Sequence, residues 1–258
     1  EYVSATFALA KIGAVAVPIN MQLVFGECAF QFDRCAIRTV ICEPDCQGYY
    51  FADAMPPCPN NTCGKRRVYP MERVFVCHSG GEGLVAGAVD FDAGVDACAD
   101  VLDERCDLDG QDTAMIIFTS GTTGYPKIAM HSYKYALGHF VTAKYWHWVQ
   151  PDGLHFTISE TGWGKALWGK LYGQWMCEAP IFTYDFDKFD AHDILPMFKQ
   201  YNITTFCAPP TMYRMLIKQD LSQYDLSSIQ HATTAGEALN PEAVSYTHLR
   251  AHETSAHL

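Results

Sequence analysis

Residues 113–127 read Thr-Ala-Met-Ile-Ile-Phe-Thr-Ser-Gly-Thr-Thr-Gly-Tyr-Pro-Lys. The first six, Thr113 to Phe118, are apolar and about one strand long. They run directly into a loop of hydroxyl residues and glycines that ends on a proline and a lysine. The glycines Gly121 and Gly124 let backbone amides approach an anion with no side chain in the way. Such amides form an anion-binding concavity, and the hydroxyls of Thr119, Ser120, Thr122 and Thr123 add donors that fix orientation. Lys127 supplies a compact positive charge suited to phosphate oxygens. The loop is not the Walker type, because no Gly-Lys-Ser/Thr occurs and the lysine stands behind a proline. An ordinary polar turn between strand and helix is the alternative, and the full Ser/Thr/Gly run ending in Pro-Lys argues against it.

Outward from this stretch, amphipathic segments alternate with short β-branched runs. Residues 1–11, 25–35, 132–146, 162–174, 191–200 and 210–218 read as helices. Residues 14–19, 38–42, 73–77, 154–158, 180–184, 203–206 and 230–234 read as strands. Pro56 to Gly64 is an irregular Pro/Cys/Asn-rich loop, Gly80 to Gly83 a glycine turn, and the acidic stretch near Asp90–Asp112 a connection. A helix start is marked at Asn240-Pro241-Glu242 by an Asn cap and a first-turn proline. Repeated strand–helix units with apolar strands predict an α/β fold: layered, largely parallel sheets with flanking helices.

Composition narrows the function classes. The 258 residues are 49% hydrophobic and 18% charged, with 29 acids against 18 bases and a formal charge of −11. That balance argues against a broad nucleic-acid surface or a polybasic membrane patch. It does not exclude phosphate ligands, which local amides and one or two cations can hold. No apolar run approaches the ~18 residues of a membrane-spanning helix. Eleven cysteines, nine at or before Cys106, form no C-x-x-C pair, and Cys42/Cys46 and Cys58/Cys63 lack a second half-site at zinc-finger spacing. They read as reduced thiols, which places the protein in the cytoplasm, with no metal site. No Gly-x-Gly-x-x-Gly follows a strand, which argues against a dehydrogenase.

Phe118 to Lys127 resembles the phosphate-binding signature of the adenylate-forming (AMP-binding) superfamily of acyl-CoA synthetases, luciferases and peptide-synthetase adenylation domains. Four other segments agree in order and spacing. Lys11 to Pro18 resembles the early helix-to-strand passage. Ser159-Glu160-Thr161-Gly162-Trp163 resembles the segment beside the acyl pocket of acetyl- and medium-chain acyl-CoA synthetases. Ala208 to Arg214 resembles the strand-to-helix turn before the nucleotide site, and Ala235 to Glu242 the adenine-side loop. The resemblance implies the large N-terminal domain of that fold, incomplete, over residues 1–244. It implies an enzyme that joins a carboxylic acid to AMP using Mg2+ and ATP, then hands the acyl group to CoA. The implied partners are therefore a small carboxylic acid, ATP and CoA, with Mg2+ as cofactor and no nucleic acid.

By the same resemblance, Thr119, Ser120, Gly121, Thr122, Thr123, Gly124 and Lys127 would hold the β- and γ-phosphates. Gly236, Glu237 and Ala238 would line the adenine, although relatives often carry proline where Ala238 stands. Trp163 would wall the acyl or pantetheine passage. On spacing alone, Trp163 and Trp168 read instead as an aromatic helix face turned to the core. Arg214 either serves the site or pairs on a helix surface, and His131 either shapes the loop or is a packed histidine. The family's Tyr-Gly-x-Thr-Glu motif does not follow Val244. Instead Ser245 to Leu258, with His248, His252 and His257, resembles translated adapter read-through. The sequence therefore leads us to expect a piece of a longer enzyme, without the C-terminal domain that carries the catalytic lysine, and inactive alone. Alternatives are an aryl-CoA ligase, a carrier-protein adenylation domain, or a non-catalytic nucleotide-binding module.

Overall fold

The structure is a computed structural model, which describes residues 1–20, 23, 25–45, 71–99, 101, 106–119, 126–186 and 188–236. The Pro56–Gly64 loop, the helix start at Asn240 and the segment from Ser245 onward lie outside the described residues. The chain divides into two compact units, Glu1–Leu108 with Phe118–Ile128, and Asp109–Ile117 with Ala129–Leu258.

In the first unit, helices α1 (Tyr2–Lys11) and α2 (Phe25–Cys35) precede strand β1 (Thr39–Cys42), followed by β2 (Arg73–Val76) and β3 (Ala88–Asp90). The strands form a parallel sheet in the order β1-β2-β3, with Val40 opposite Val74 and Cys42 opposite Val76. Alternate residues of β1 and β2 point inward, and Val40, Cys42, Val74 and Val76 bury against Phe32 of α2. Helix α3 (Phe91–Asp96) starts where β3 ends, because the Asp90 carboxylate accepts from Ala93 N at 2.8 Å. The same carboxylate accepts from Gly81 N and Ser79 Oγ and so fastens the glycine turn. Helix α3 falls in the stretch near Asp90–Asp112 read from sequence as an acidic connection, and β3 leads into it. A three-residue strand whose last residue is also a helix cap gives too short a period to see.

The strand expected at Ala14–Ile19 is not formed. A single bridge occurs at Ala16, and Val15 is exposed. Pro18 has no N–H to give to a ladder, so an apolar run interrupted there cannot pair as a central strand.

Strands β4 (Thr113–Thr119) and β5 (Lys127–Ser132) form a two-stranded ribbon. At one end Thr119 Oγ1 donates to Lys127 O, and at the other Tyr133 N donates to Asp112 O, so the ribbon is antiparallel. The expected helix from Ser132 is thereby displaced: residues 127–132 are strand, and helix α4 (Tyr135–Val141) starts only after Lys134 N has bonded Gly110 O. Past Val141 the helix widens into a π turn, Thr142–Trp146, closed by His147 N on Thr142 O at 2.9 Å.

The second unit carries strand β6 (His155–Thr157), short helices α5 (Lys165–Trp168) and α6 (Tyr172–Met176), and strand β7 (Ile181–Phe182). Helix α7 (Ala191–Gln200), strand β8 (Thr205–Ala208), helix α8 (Pro210–Leu216) and strand β9 (His231–Thr234) follow. The single helix expected over 162–174 is split, because Gly169 ends α5 and the chain turns before Tyr172. Helix α6 then packs on α4 so closely that a Cβ on Gly173 would stand 2.2 Å from His139 O.

The four strands form a parallel sheet in the order β7-β6-β8-β9, in register Phe156–Phe206–Ala232 and Thr157–Cys207–Thr233. One face presents Phe156, Phe206 and Ala208 to Ile194, Leu195 and Phe198 of α7 and Tyr213 and Leu216 of α8. Phe198 meets Phe206 edge-on at 4.9 Å. Each Phe, Ile or Leu side chain buried here contributes about 1.5–3 kcal/mol. Helix α7 is seated by the Asp190 carboxylate on His192 N, and α8 by Pro210 in its first turn.

Candidate functional site

The glycine–hydroxyl loop begins where β4 ends. Met115 and Ile117 bury alternate positions of that strand, which fixes the height at which Thr119 emerges. Thr119 Oγ1 reaches Lys127 O at 3.4 Å, so the first and last residues of the proposed phosphate loop stand together at its mouth. The Lys127 side chain is exposed. Ser120, Gly121, Thr122, Thr123 and Gly124 lie outside the described residues.

A second group of sequence-chosen residues sits at the carboxyl edge of the β7-β6-β8-β9 sheet. Because the strands are parallel and β6, β8 and β9 are neighbours, the chain leaves all three at the same edge. That edge is where open α/β sheets form ligand crevices. From β6 comes Ser159–Trp163, folded as a turn in which Glu160 Oε1 accepts from Gly162 N at 3.0 Å and from Thr161 Oγ1 at 3.4 Å. Trp163 N closes the turn on Glu160 O. The Trp163 side chain is 46% exposed while Trp168 is 8% exposed, so the helical spacing that suggested a common core face does not hold for Trp163. From β8 comes Pro209–Arg214, where Arg214 Nη2 donates to Thr211 Oγ1 at 2.7 Å within its own helix. From β9 come Ala235 and Gly236. Gly236 has φ +104° with nothing within 4 Å of a Cβ position, so backbone conformation is what favours glycine there. Glu237 and Ala238 lie outside the described residues.

Hydrogen bonds tie these strands beneath the edge. Thr234 Oγ1 donates to Ala208 O at 2.9 Å, and the buried Tyr213 hydroxyl donates to Thr233 O at 3.0 Å. Burial pushes the Tyr213 phenol well above its ordinary value, so it stays a donor. His131 is a packed histidine: its ring lies 4.4 Å from that of Tyr135 and 5.2 Å from that of Trp168, and burial lowers its proton affinity.

The face of the sheet opposite the aromatic core is polar, a feature missed in reading the sequence. His155, Thr157, Thr205, His231 and Thr233 are all buried on it, with His147 lowered onto it by the π turn. His155 Nδ1 and Nε2 each lie 2.7 Å from a hydroxyl, those of Thr205 and Thr157. His147 Nδ1 lies 3.2 Å from Thr233 Oγ1, and His231 Nε2 donates to Trp146 O at 2.9 Å. Burial above all, then neighbouring positive charge, lowers His147 to about 2 and His155 to about 3, so both are neutral imidazoles. The signal was available: polar residues recur at every second position of strands otherwise read as buried.

Eight described cysteines carry free thiols, and among the described residues no three His, Cys, Asp or Glu side chains stand where they could hold a metal ion together. Among the described residues no helix is long and apolar enough to cross a membrane.

A family model described as "AMP-binding enzyme" matches residues 1–253. The human protein named "Acyl-coenzyme A synthetase ACSM4, mitochondrial" is 41% identical over 135 residues, which are 52% of this chain and 23% of that protein. The crystal structure of an acyl-CoA synthetase from Brucella canis superposes with a TM-score of 0.78 at 21% identity, covering 96% of this chain and 42% of the other. That of the anthranilate CoA ligase AuaEII in complex with anthranoyl-AMP superposes with a TM-score of 0.76 at 24% identity, covering 96% and 46%. These structures share the α/β fold with parallel sheets, and this chain spans less than half of each and about a quarter of the human relative. The chain belongs to the AMP-binding enzyme family.

Proposed function

We propose that this member of the AMP-binding enzyme family is the nucleotide-binding part of an AMP-forming acyl-CoA synthetase. A carboxylate oxygen of the acid attacks the α-phosphorus of ATP, the bond to the bridging oxygen breaks, and pyrophosphate leaves. The CoA thiol, giving up its proton, then attacks the acyl carbonyl and displaces AMP. The observation that carries this reading is the shared carboxyl edge of β6, β8 and β9, where Ser159–Trp163, Pro209–Arg214 and Ala235–Gly236 emerge side by side. The joining of Thr119 to Lys127 at the mouth of the glycine loop supports it.

In this reading Thr119, Ser120, Gly121, Thr122, Thr123, Gly124 and Lys127 grip the β- and γ-phosphates. Gly236, Glu237 and Ala238 border the adenine, and the exposed Trp163 flanks the route of the acyl or pantetheine chain. Two anions must meet for the first bond to form, so positioning and neutralisation dominate the barrier. Mg2+ bound with ATP would supply part of that neutralisation. Of the described residues at this edge Glu160 is a carboxylate, and its Oε1 already accepts from Gly162 N and Thr161 Oγ1. A cytoplasmic setting belongs to the same reading on cysteine usage alone.

The 258-residue polypeptide, which has no Tyr-Gly-x-Thr-Glu after Val244, is expected to bind ATP without turning it over. Calorimetric titration should show ATP binding that weakens about tenfold in Lys127→Ala, the size of one lost charge-assisted bond. ATP–pyrophosphate exchange should be absent with this polypeptide and present, dependent on added acid, with a gene product of its relatives' length. Robust exchange by the 258-residue chain would refute its inactivity. A longer product that exchanges with no fatty or aryl acid would refute the synthetase reading.

A further inference from the structure

The carboxyl edge of the β1-β2-β3 sheet carries a histidine that the nucleotide reading does not use. His78 follows Cys77, whose N–H extends the β1–β2 ladder one step past the strands by donating to Cys42 O at 2.9 Å. At His78 the backbone turns to φ +53°, a region that few residues other than glycine adopt. It is pinned there, because His78 N donates at 2.7 Å to Oδ2 of Asp92 in the first turn of α3.

The ring lies between two carboxylates from two other elements. Its Nε2 is 2.9 Å from Oε1 of Glu1, the N-cap of α1, and its Nδ1 is 3.1 Å from Oε2 of Glu43, the residue after β1. A carboxylate only accepts, so each ring nitrogen must bring its own hydrogen, and only the imidazolium has two. Either neutral tautomer would turn a lone pair toward one of the two carboxylate oxygens. A single exposed ion pair holds little, since solvent screens it and two free side chains must be immobilised. Here the His78 side chain is 55% exposed, but one ring serves two carboxylates and its main chain is already held by a third.

The charged and titratable groups around the ring come from every neighbouring element. They are the Glu1 carboxylate and amino group at the head of α1, Glu43 after β1, Asp92 in α3, and the Cys77 thiol at the end of β2. Burial above all, then Glu43, Asp92 and Glu1, pushes that thiol up to about 11, so it stays uncharged. Asp90, at the end of β3, is turned instead to Ser79 Oγ, Gly81 N and Ala93 N.

We infer that His78 is a proton-operated clasp: as imidazolium it ties the head of α1 to the ends of β1 and β2, and on giving its proton to solvent it lets go of one carboxylate. The hydrogen bonds to Glu1 and Glu43, then their charges, raise the proton affinity of the folded ring. The clasp is therefore fully closed below the ordinary value of about 6.5 and opens as pH rises through the higher folded value. The first unit loosens toward alkali. The buried His147 and His155 of the second unit, held neutral, lose stability toward acid.

NMR titration of the full 258-residue chain tests the inference. At pH 6.5, where a free histidine is about half protonated, the ring 15N signals of His78 should be mostly those of imidazolium. The ring should titrate above pH 6.5, and the amide signals of Val3 to Thr6 should shift with the same midpoint. Glu1→Gln and Glu43→Gln should each lower that midpoint, and the double variant should return it to about 6.5. Three results would each overturn the inference: a neutral ring at pH 6.5, α1 amides that stay still while His78 titrates, or a midpoint indifferent to both substitutions. Should the variants fail to fold, the ring state and the α1 amides of the unmodified chain decide.

Discussion

The two faces of the β7-β6-β8-β9 sheet are made by alternate residues of the same strands, yet they are held in opposite ways. Phe156, Phe206 and Ala208 meet α7 and α8 through aromatic and aliphatic contact, where every added buried area is favourable whatever its direction. His155, Thr157, Thr205 and Thr233 are held to one another, to His147 at the end of the π turn and to the Gly169 carbonyl after α5 through bonds that must each find a mate. An apolar face is tolerant of geometry and sensitive to volume. A buried polar face is the reverse: it adds little net stability when complete and forfeits much when one partner is lost.

Acid should break this comparison most sharply. His147 and His155 are lowered in the folded chain to about 2 and about 3, against about 6.5 when unfolded. Below pH 6.5 the unfolded chain takes up protons that the folded chain refuses, so stability is fully present above that pH. It falls as pH drops toward the folded values. The slope is about 1.4 kcal/mol per pH unit for each histidine, or about 4–5 kcal/mol in all between pH 6.5 and 4.5. Urea melts across that range measure it, and a flat profile would mean that the two imidazoles are not buried neutral.

On the opposite face, Phe198→Ala should lower stability by about 3–5 kcal/mol at every pH, shifting the acid profile down without changing its slope. Urea midpoints at pH 7 and pH 5 separate the two behaviours. Thr205→Val, nearly isosteric, removes only the hydroxyl that donates to His155 Nδ1. It should lower stability by about 1–3 kcal/mol at pH 7 and less at pH 5, because the freed lone pair lets His155 take up a proton more easily. An equal loss at both pH values would show that the hydroxyl does not hold the imidazole neutral.

How far the sequence carried depended on the length of each signal. Helix α7 was legible to the residue, since ten positions of steady amphipathic spacing begin at an Asp cap. Strand β4 and its loop were legible because an apolar run meets a rare order of glycines and hydroxyls. Strand β5 was not, because Pro126-Lys127 looks like the end of a loop and the pairing that makes residues 127–132 a strand comes from β4. The Ala14–Ile19 run misled for the opposite reason: it has strand composition, and Pro18 denies it a partner. Of the candidate site, Trp163 and Gly236 take exposed positions at the sheet edge, and Thr119 and Lys127 meet. The polar face of the β7-β6-β8-β9 sheet went unread because alternating His and Thr in a buried strand signals nothing until the other strands are alongside.

The contact between α4 and α6 leads to one more consequence, for the mutational tolerance of the chain. Position 173 has no room for even a methyl group, which would stand 2.2 Å from a backbone carbonyl that cannot swing aside. Gly138, on α4, faces open space. In a saturation library sorted for folded molecules, codon 173 should return glycine alone, while codon 138 should admit every residue but proline and favour alanine. Two glycines separated by the width of one helical crossing would thus stand at the two extremes of what selection can explore.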